Sequence, residues 1–229
     1  MTKIKICGIT NLQDATWSAT LGVDYLGFNF YKRSPRKISI SMAQEIISKI
    51  PPVCEPVGIF VDEEINVILD TVKKCNLKLI QLHGKETPDY CLNLKMQLIK
   101  LEHPEFESVS ENDILQKETK IKIIKAFRIK GEGTLKYLSR FKDIVDYFLL
   151  DTYIQGIEGG TGETFNWDLA VESKKYNKPI FLAGGLTPEN VKEAIQKVQP
   201  YAVDTASGVE RLPRRKDFDK LKKFILNAR

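Results

Sequence analysis

The chain has 229 residues, long for one average domain and short for two, since domains run roughly 100–200 residues and barrels reach about 250. With 42% hydrophobic and 28% charged residues it falls in the globular range, which excludes a largely disordered polymer and a collagen-like fibre. Thirty-five Lys and Arg against 30 Asp and Glu leave +5, a surplus that suits anionic small molecules without selecting any. The cysteines, at 7, 54, 75 and 91, form no C-x-x-C pair in a chain too large to need disulfide staples, so a reducing, cytoplasmic setting is expected. Residues 1–10 hold only a short apolar stretch broken by Lys5, too short for a secretory signal, and no window approaches the ~18 apolar residues of a membrane span.

Residues 3–6 predict a first strand, with Thr10 and Asn11 as cap candidates for a helix that carries Leu12, Ala15 and Ala19 on one face. Residues 25–30 predict a second strand, residues 42–50 a helix stopped by Pro51-Pro52, and residues 57–61 an almost wholly apolar third strand, buried on both faces. Asp62 is the expected N-cap of a helix whose Ile65, Ile68, Leu69 and Val72 fall at i, i+3, i+4 and i+7. Residues 77–82 form strand four, Pro88 opens a helical stretch, residues 121–127 form strand five with helical 135–141 behind it, and residues 147–150 form strand six. Residues 167–176 are helical and 179–183 form strand seven. Thr187-Pro188 then caps a helix bearing Val191, Ala194, Ile195 and Val198. Residues 201–203 form strand eight, and Phe218, Leu221 and Ile225 mark a closing helix.

Strands alternating with helices within one domain's length specify the α/β class and a single closed (β/α)8 barrel, the TIM barrel, over residues 1–229. One stretch does not fit. Residues 100–120 are polar, contain Pro104 and five glutamates, and show no clear periodicity, so they are read as an insertion before strand five; residues 98–101 compete for that strand.

In such barrels the chemistry gathers at the carboxyl ends of the strands. Cys7 follows strand one, Arg36 lies in the loop after strand two, and His83, Asp151 and Asp204 end strands four, six and eight. Three late elements, Gly159-Gly160-Thr161-Gly162, Gly184-Gly185 and Ser207-Gly208-Val209-Glu210, follow strands six, seven and eight, the last where a short extra helix is expected. Backbone N–H groups at such places cradle a phosphate, and a phosphorylated substrate follows. Taken singly, each residue also has a structural reading: Cys7 as a small buried apolar group, His83 as a satisfied polar one, Asp151 as a cap and Arg36 as solvated loop charge.

Six ordered stretches carry a resemblance: Lys5-Ile6-Cys7-Gly8-Ile9-Thr10, Gln81-Leu82-His83-Gly84, Leu149-Leu150-Asp151-Thr152, Gly160-Thr161-Gly162 with Phe165-Asn166-Trp167, Ala183-Gly184-Gly185-Leu186-Thr187-Pro188-Glu189-Asn190-Val191, and Asp204 through Glu210. The chain resembles the phosphoribosylanthranilate isomerases of tryptophan biosynthesis nearly end to end. The resemblance implies an Amadori rearrangement of an aminoaldose to an aminoketose with neither cofactor nor metal, Asp151 as general acid and Cys7 as general base. It also implies a phosphate held on Gly184, Gly185, Ala206 and Ser207 with help from Gly160 and Gly162, Arg36 on the anthranilate carboxylate, and His83 and Asp204 beside the ribose hydroxyls. Ala206 is a departure, since relatives often carry a hydroxyl there. The expected partner is the small phosphorylated substrate, with no nucleic acid and no membrane, in a monomer or homodimer.

Two other readings compete. A histidine-pathway aminoaldose isomerase would use paired aspartates, one of them where this chain has Cys7, and a pentose-phosphate epimerase needs metal ligands, for which only His83 and His103 exist. A nucleic-acid binder is suggested by the run Arg211, Arg214, Arg215, Lys216, Lys220, Lys222 and Lys223, but Asp217 and Asp219 interrupt it, and it reads as the wet face of the last helix.

Overall fold

Eight parallel strands close on one another in chain order: β1 (Lys3–Cys7), β2 (Tyr25–Asn29), β3 (Glu55–Phe60), β4 (Leu79–Leu82), β5 (Lys122–Arg128), β6 (Tyr147–Asp151), β7 (Ile180–Ala183) and β8 (Ala202–Thr205). The chain is described from a computed structural model, which covers residues 1–106, 119–129, 131–151 and 167–229. Helices α1 (Leu12–Thr20), α2 (Ile40–Ile47), α3 (Ile65–Cys75), α4 (Pro88–Glu102), α5 (Glu132–Leu138), α6 (Trp167–Ser173), α7 (Val191–Val198) and α8 (Phe218–Ala228) lie between and after the strands. The ring closes where β1 pairs with β8, Lys3 opposite Ala202 and Lys5 opposite Asp204.

The two-residue period of a strand sorts side chains between two layers. On β1, Ile4 and Ile6 face outward and join Ala15, Ile68, Leu94 and Leu98 of the helices in one fully buried layer. The other parity faces the barrel interior, where Val57, Leu79, Ile124, Leu149, Phe181 and Ala202 form a separate cluster. Tyr25, Tyr147 and Tyr201 ring Phe181 at the amino end of the barrel, and the Tyr25 and Tyr201 hydroxyls are 2.8 Å apart. Aromatic bulk thus fills the interior at the amino end.

Side-chain caps start several helices. The Asn11, Ser39, Thr87 and Asp217 side chains accept from the N–H three residues on, and Pro88 follows Thr87 in the first turn of α4. Asp62 does not cap α3. It adopts a φ of 48° and accepts from the Lys85 N–H at 2.5 Å, tying the loop after β3 to the loop after β4, while Glu64 occupies the cap position without a side-chain bond. Thr187 likewise starts a turn rather than the helix: Asn190 precedes α7, and its carboxamide oxygen accepts from the Thr187 N–H at 2.8 Å.

Residues 98–101 are helical, not a strand, because α4 continues to Glu102 with Leu94, Leu98 and Ile99 all buried. The expected insertion therefore starts inside a helix, and a short 3-10 turn, Pro104–Phe106, follows. Residues 107–118 of that segment lie outside the described residues. Its two flanks meet, since the Glu102 carboxylate accepts from Thr119 Oγ1 at 2.8 Å and from the Lys120 N–H at 2.9 Å. Among the described residues no helix is long and apolar enough to cross a membrane.

Candidate active site

Parallel strands deliver all their carboxyl ends to one rim, so residues distant in sequence converge there. Cys7 and Asp151 are the last residues of β1 and β6, both on the inward parity and both partly accessible. His83 follows β4 and is fixed to β3 through its N–H, which donates to the Phe60 carbonyl at 2.8 Å. Its Nε2 lies 3.5 Å from Asp151 Oδ2, and its Nδ1 lies 2.7 Å from Gln81 Nε2. Gln81 is buried in the interior, and its Oε1 has no hydrogen-bond partner among the described residues. Asp204 is buried on β8, where it receives Lys5 Nζ at 2.9 Å.

Two of the expected phosphate elements lie on this rim. Gly184 and Gly185 follow β7 with φ of 88° and 66°, and a Cβ on Gly185 would meet nothing within 4 Å, so its backbone faces open space. After β8, Ser207–Val209 forms the short extra helix, a 3-10 turn, with Ala206 just before it. Gly160 and Gly162 lie outside the described residues.

Arg36 enters the site by a route that sequence reading did not find. Its Nε and Nη2 donate to the two oxygens of Glu210 at 2.8 and 2.6 Å, a bidentate pair with the carboxylate almost fully buried. Glu210 also receives Lys216 Nζ at 3.1 Å, and that ammonium donates in addition to the Cys7 carbonyl at 2.6 Å and the Ala206 carbonyl at 2.9 Å. Burial works against the Glu210 charge, but the Arg36 hydrogen bonds and the two cations outweigh it and hold its carboxyl below the ordinary value. Lys216 is thus no part of a wet helix face. It is buried on a strand, β10 (Arg215–Lys216), paired with β9 (Glu210–Leu212), and it staples the ends of β1 and β8 together.

A second buried pair holds His83 from behind. Lys125 Nζ donates to Glu86 Oε2 at 2.9 Å and to the Gly84 carbonyl at 3.0 Å, while Glu86 accepts from the Asp62 and Gly84 N–H groups. None of Lys5, Lys125, Glu86, Glu210 or Lys216 was singled out from the sequence as a site residue; the late Ser-Gly-Val-Glu motif was the one signal pointing at Glu210.

The electrostatics around Cys7 are divided. Burial pushes the thiol up, Lys5, Lys216 and Arg36 pull it down, Asp204 adds to the rise, and the net position is above an ordinary thiol. Gly8 shows how tightly Arg36 is held. It has a φ of 78°, and a Cβ there would overlap the Arg36 side chain. Gly8→Ala is expected to lose about 1–2 kcal/mol of stability in urea unfolding and to displace the guanidinium; an unchanged midpoint and unchanged KM would contradict this packing.

Comparison with known proteins decides the family. A family model described as "N-(5'phosphoribosyl)anthranilate (PRA) isomerase" matches residues 4–113 and 107–227, two spans that meet in the expected insertion. The chain belongs to this isomerase family. The N-(5'-phosphoribosyl)anthranilate isomerase of Trichlorobacter lovleyi is 42% identical over 229 residues, covering 100% of this chain and 98% of the relative. The crystal structure of phosphoribosyl anthranilate isomerase from Thermotoga maritima has a TM-score of 0.83 at 38% identity, covering 100% of this chain and 98% of that one. A phosphoribosyl anthranilate isomerase in complex with reduced 1-(o-carboxyphenylamino)-1-deoxyribulose 5-phosphate has a TM-score of 0.81 at 36% identity, with the same coverage. This chain thus shares its fold with these two isomerases along its full length.

Proposed function

We propose that Cys7 and Asp151 divide the proton transfers of an N-(5'-phosphoribosyl)anthranilate isomerisation at the carboxyl rim of the barrel. Family membership makes the chain an aldose–ketose isomerase of tryptophan biosynthesis. The observation that supports the residue roles best is the meeting, on one rim, of a partly accessible cysteine and a partly accessible aspartate from two strands that are not neighbours in the ring, β1 and β6. The reaction needs both. Asp151 gives a proton to the furanose oxygen, opening the sugar to a Schiff base; Cys7 as thiolate takes the proton from C2, and the resulting enolamine tautomerises to the ketone.

The phosphate goes to the backbone of Gly184, Gly185, Ala206 and Ser207, with Gly160 and Gly162 assigned to the same task from sequence. The ring carboxylate goes to Arg36, whose planar guanidinium is aimed by Glu210. His83 and Asp204 line the ribose side. A cytoplasmic location and a chain that acts as monomer or homodimer complete the reading.

The test is loss of substrate fluorescence on adding the purified full chain to the phosphoribosylanthranilate, beside a parallel assay with the histidine-pathway aminoaldose. Turnover of the second substrate alone would overturn the reading. Arg36→Ala should raise KM about 10- to 100-fold with kcat changed little, because hydrogen bonds to a charged group are worth roughly 1.5–3 kcal/mol. Unchanged KM and kcat would show that Arg36 does not meet the substrate.

A further inference from the structure

Moving a lysine charge out of water costs several kcal/mol unless partners replace its hydration. Lys5 is fully buried all the same. It stands on β1 two residues before Cys7, so the pleat turns both side chains into the barrel, and it lies opposite Asp204 in the β1–β8 ladder. Its Nζ donates to Asp204 Oδ1 at 2.9 Å. The interior cluster is built largely from apolar residues such as Val57, Leu79 and Ile124, so packing alone has no need of an ammonium and its carboxylate. Cys7 is the next inward side chain of β1 toward the rim, and the Lys5 charge favours its thiolate.

We propose that Lys5 is a positioning residue for the Cys7 base, its buried ammonium, anchored by Asp204, serving as the fixed counter-cation of the thiolate. This rests on Cys7 being the base of the isomerisation. Among the described residues, the charged groups that act most on Cys7 are Lys5 from its own strand, Asp204 from β8, Lys216 from β10 and Arg36 from the connection after β2. Lys216 and Arg36 are already shared with Glu210, and Lys216 donates to the Cys7 carbonyl. Lys5 is the strongest cationic influence on the thiol. It keeps its own proton, because Asp204 and Cys7 outweigh the burial that favours the neutral amine and hold it above an ordinary lysine. When the thiolate takes the C2 proton and becomes a thiol, the Lys5 ammonium still has the Asp204 carboxylate at 2.9 Å.

The test is the pH dependence of iodoacetamide alkylation at Cys7, read by mass spectrometry of the peptide that bears it, since Cys54, Cys75 and Cys91 are buried. Lys5→Met should move the alkylation curve up by about one pH unit, about ten-fold slower at pH 7, while Lys5→Arg stays within about three-fold of the parent. If Lys5→Met does not fold, Lys5→Met/Asp204→Asn removes both charges. Its curve should move the same way by less, because Lys5 acts on the thiol more strongly than Asp204 does. An unmoved curve in either folded variant overturns the proposal, whatever happens to turnover. Alkylation needs no substrate, so this failure is distinct from a parent protein that does not isomerise phosphoribosylanthranilate, which would sink the functional reading instead.

Discussion

Replacing Cys7 by serine is expected to lower kcat about 10²- to 10⁴-fold while KM moves by no more than a few-fold, the span that loss of a general base usually gives. The serine hydroxyl fits, because its oxygen is smaller than the sulfur that rests against Gly27, so substrate contacts survive. What is lost is the base: an alcohol gives up its proton far less readily than a thiol. Without the thiol, Asp151 is the acid whose proton still matters, and the residual kcat/KM should fall as pH rises. Cys54→Ser, Cys75→Ser and Cys91→Ser serve as controls. Burial pushes those thiols up to about 12, 11 and 12. They lie among the apolar residues between barrel and helices, so these substitutions should alter stability and leave the chemistry intact. Turnover of Cys7→Ser near the parent value, measured by substrate fluorescence, would remove Cys7 from the mechanism.

The order of the barrel was legible because the strands are short apolar runs and helices with their own period lie between them; all eight predicted strands overlap observed ones. Cys7, His83, Asp151 and Asp204 were legible by position alone, since an apolar run that ends on a polar residue marks the carboxyl rim. The interior was not. Lys3-Ile4-Lys5-Ile6 alternates as a half-exposed strand does, and nothing local says that the polar face of β1 turns into a closed barrel, where Lys5 finds a carboxylate 199 positions away. Glu210 and Lys216 were hidden for the same reason: the partner of Glu210, Arg36, is 174 positions off, and Lys216 sits in a run of exposed basic residues whose composition suggests solvent. Asp62 looked like a cap because it precedes an amphipathic helix, but its carboxylate is drawn to the neighbouring loop. At residues 98–101 the apolar side chains continue the spacing of Leu94, which serves a helix better than a strand.

Asp151→Asn is expected to match Cys7→Ser in size, about 10²- to 10⁴-fold in kcat with KM nearly constant, and to differ from it in sign with pH. The carboxamide keeps the shape and can still hydrogen-bond, but it has no proton to give to the ring oxygen. The backbone is indifferent to the change: the Asp151 carbonyl still accepts from Ile129 N–H at 3.1 Å, and β6 keeps its register with β5 and β7. Asp151 is set beside His83 Nε2 at 3.5 Å, and His83 is in turn held by Gln81 and by the loop that Lys125 and Glu86 clamp, so the acid's neighbour is fixed by packing rather than by the acid itself. Loss of activity in Asp151→Asn with unchanged unfolding is therefore a loss of proton donation. With the acid gone, the Cys7 thiol is the titrating group that remains, and its reactive form is the thiolate. The residual kcat/KM should climb with pH and level off only above the ordinary thiol range, because burial holds Cys7 there. A residual rate that falls with pH, or a variant as fast as the parent, would mean that the ring-opening proton comes from another group.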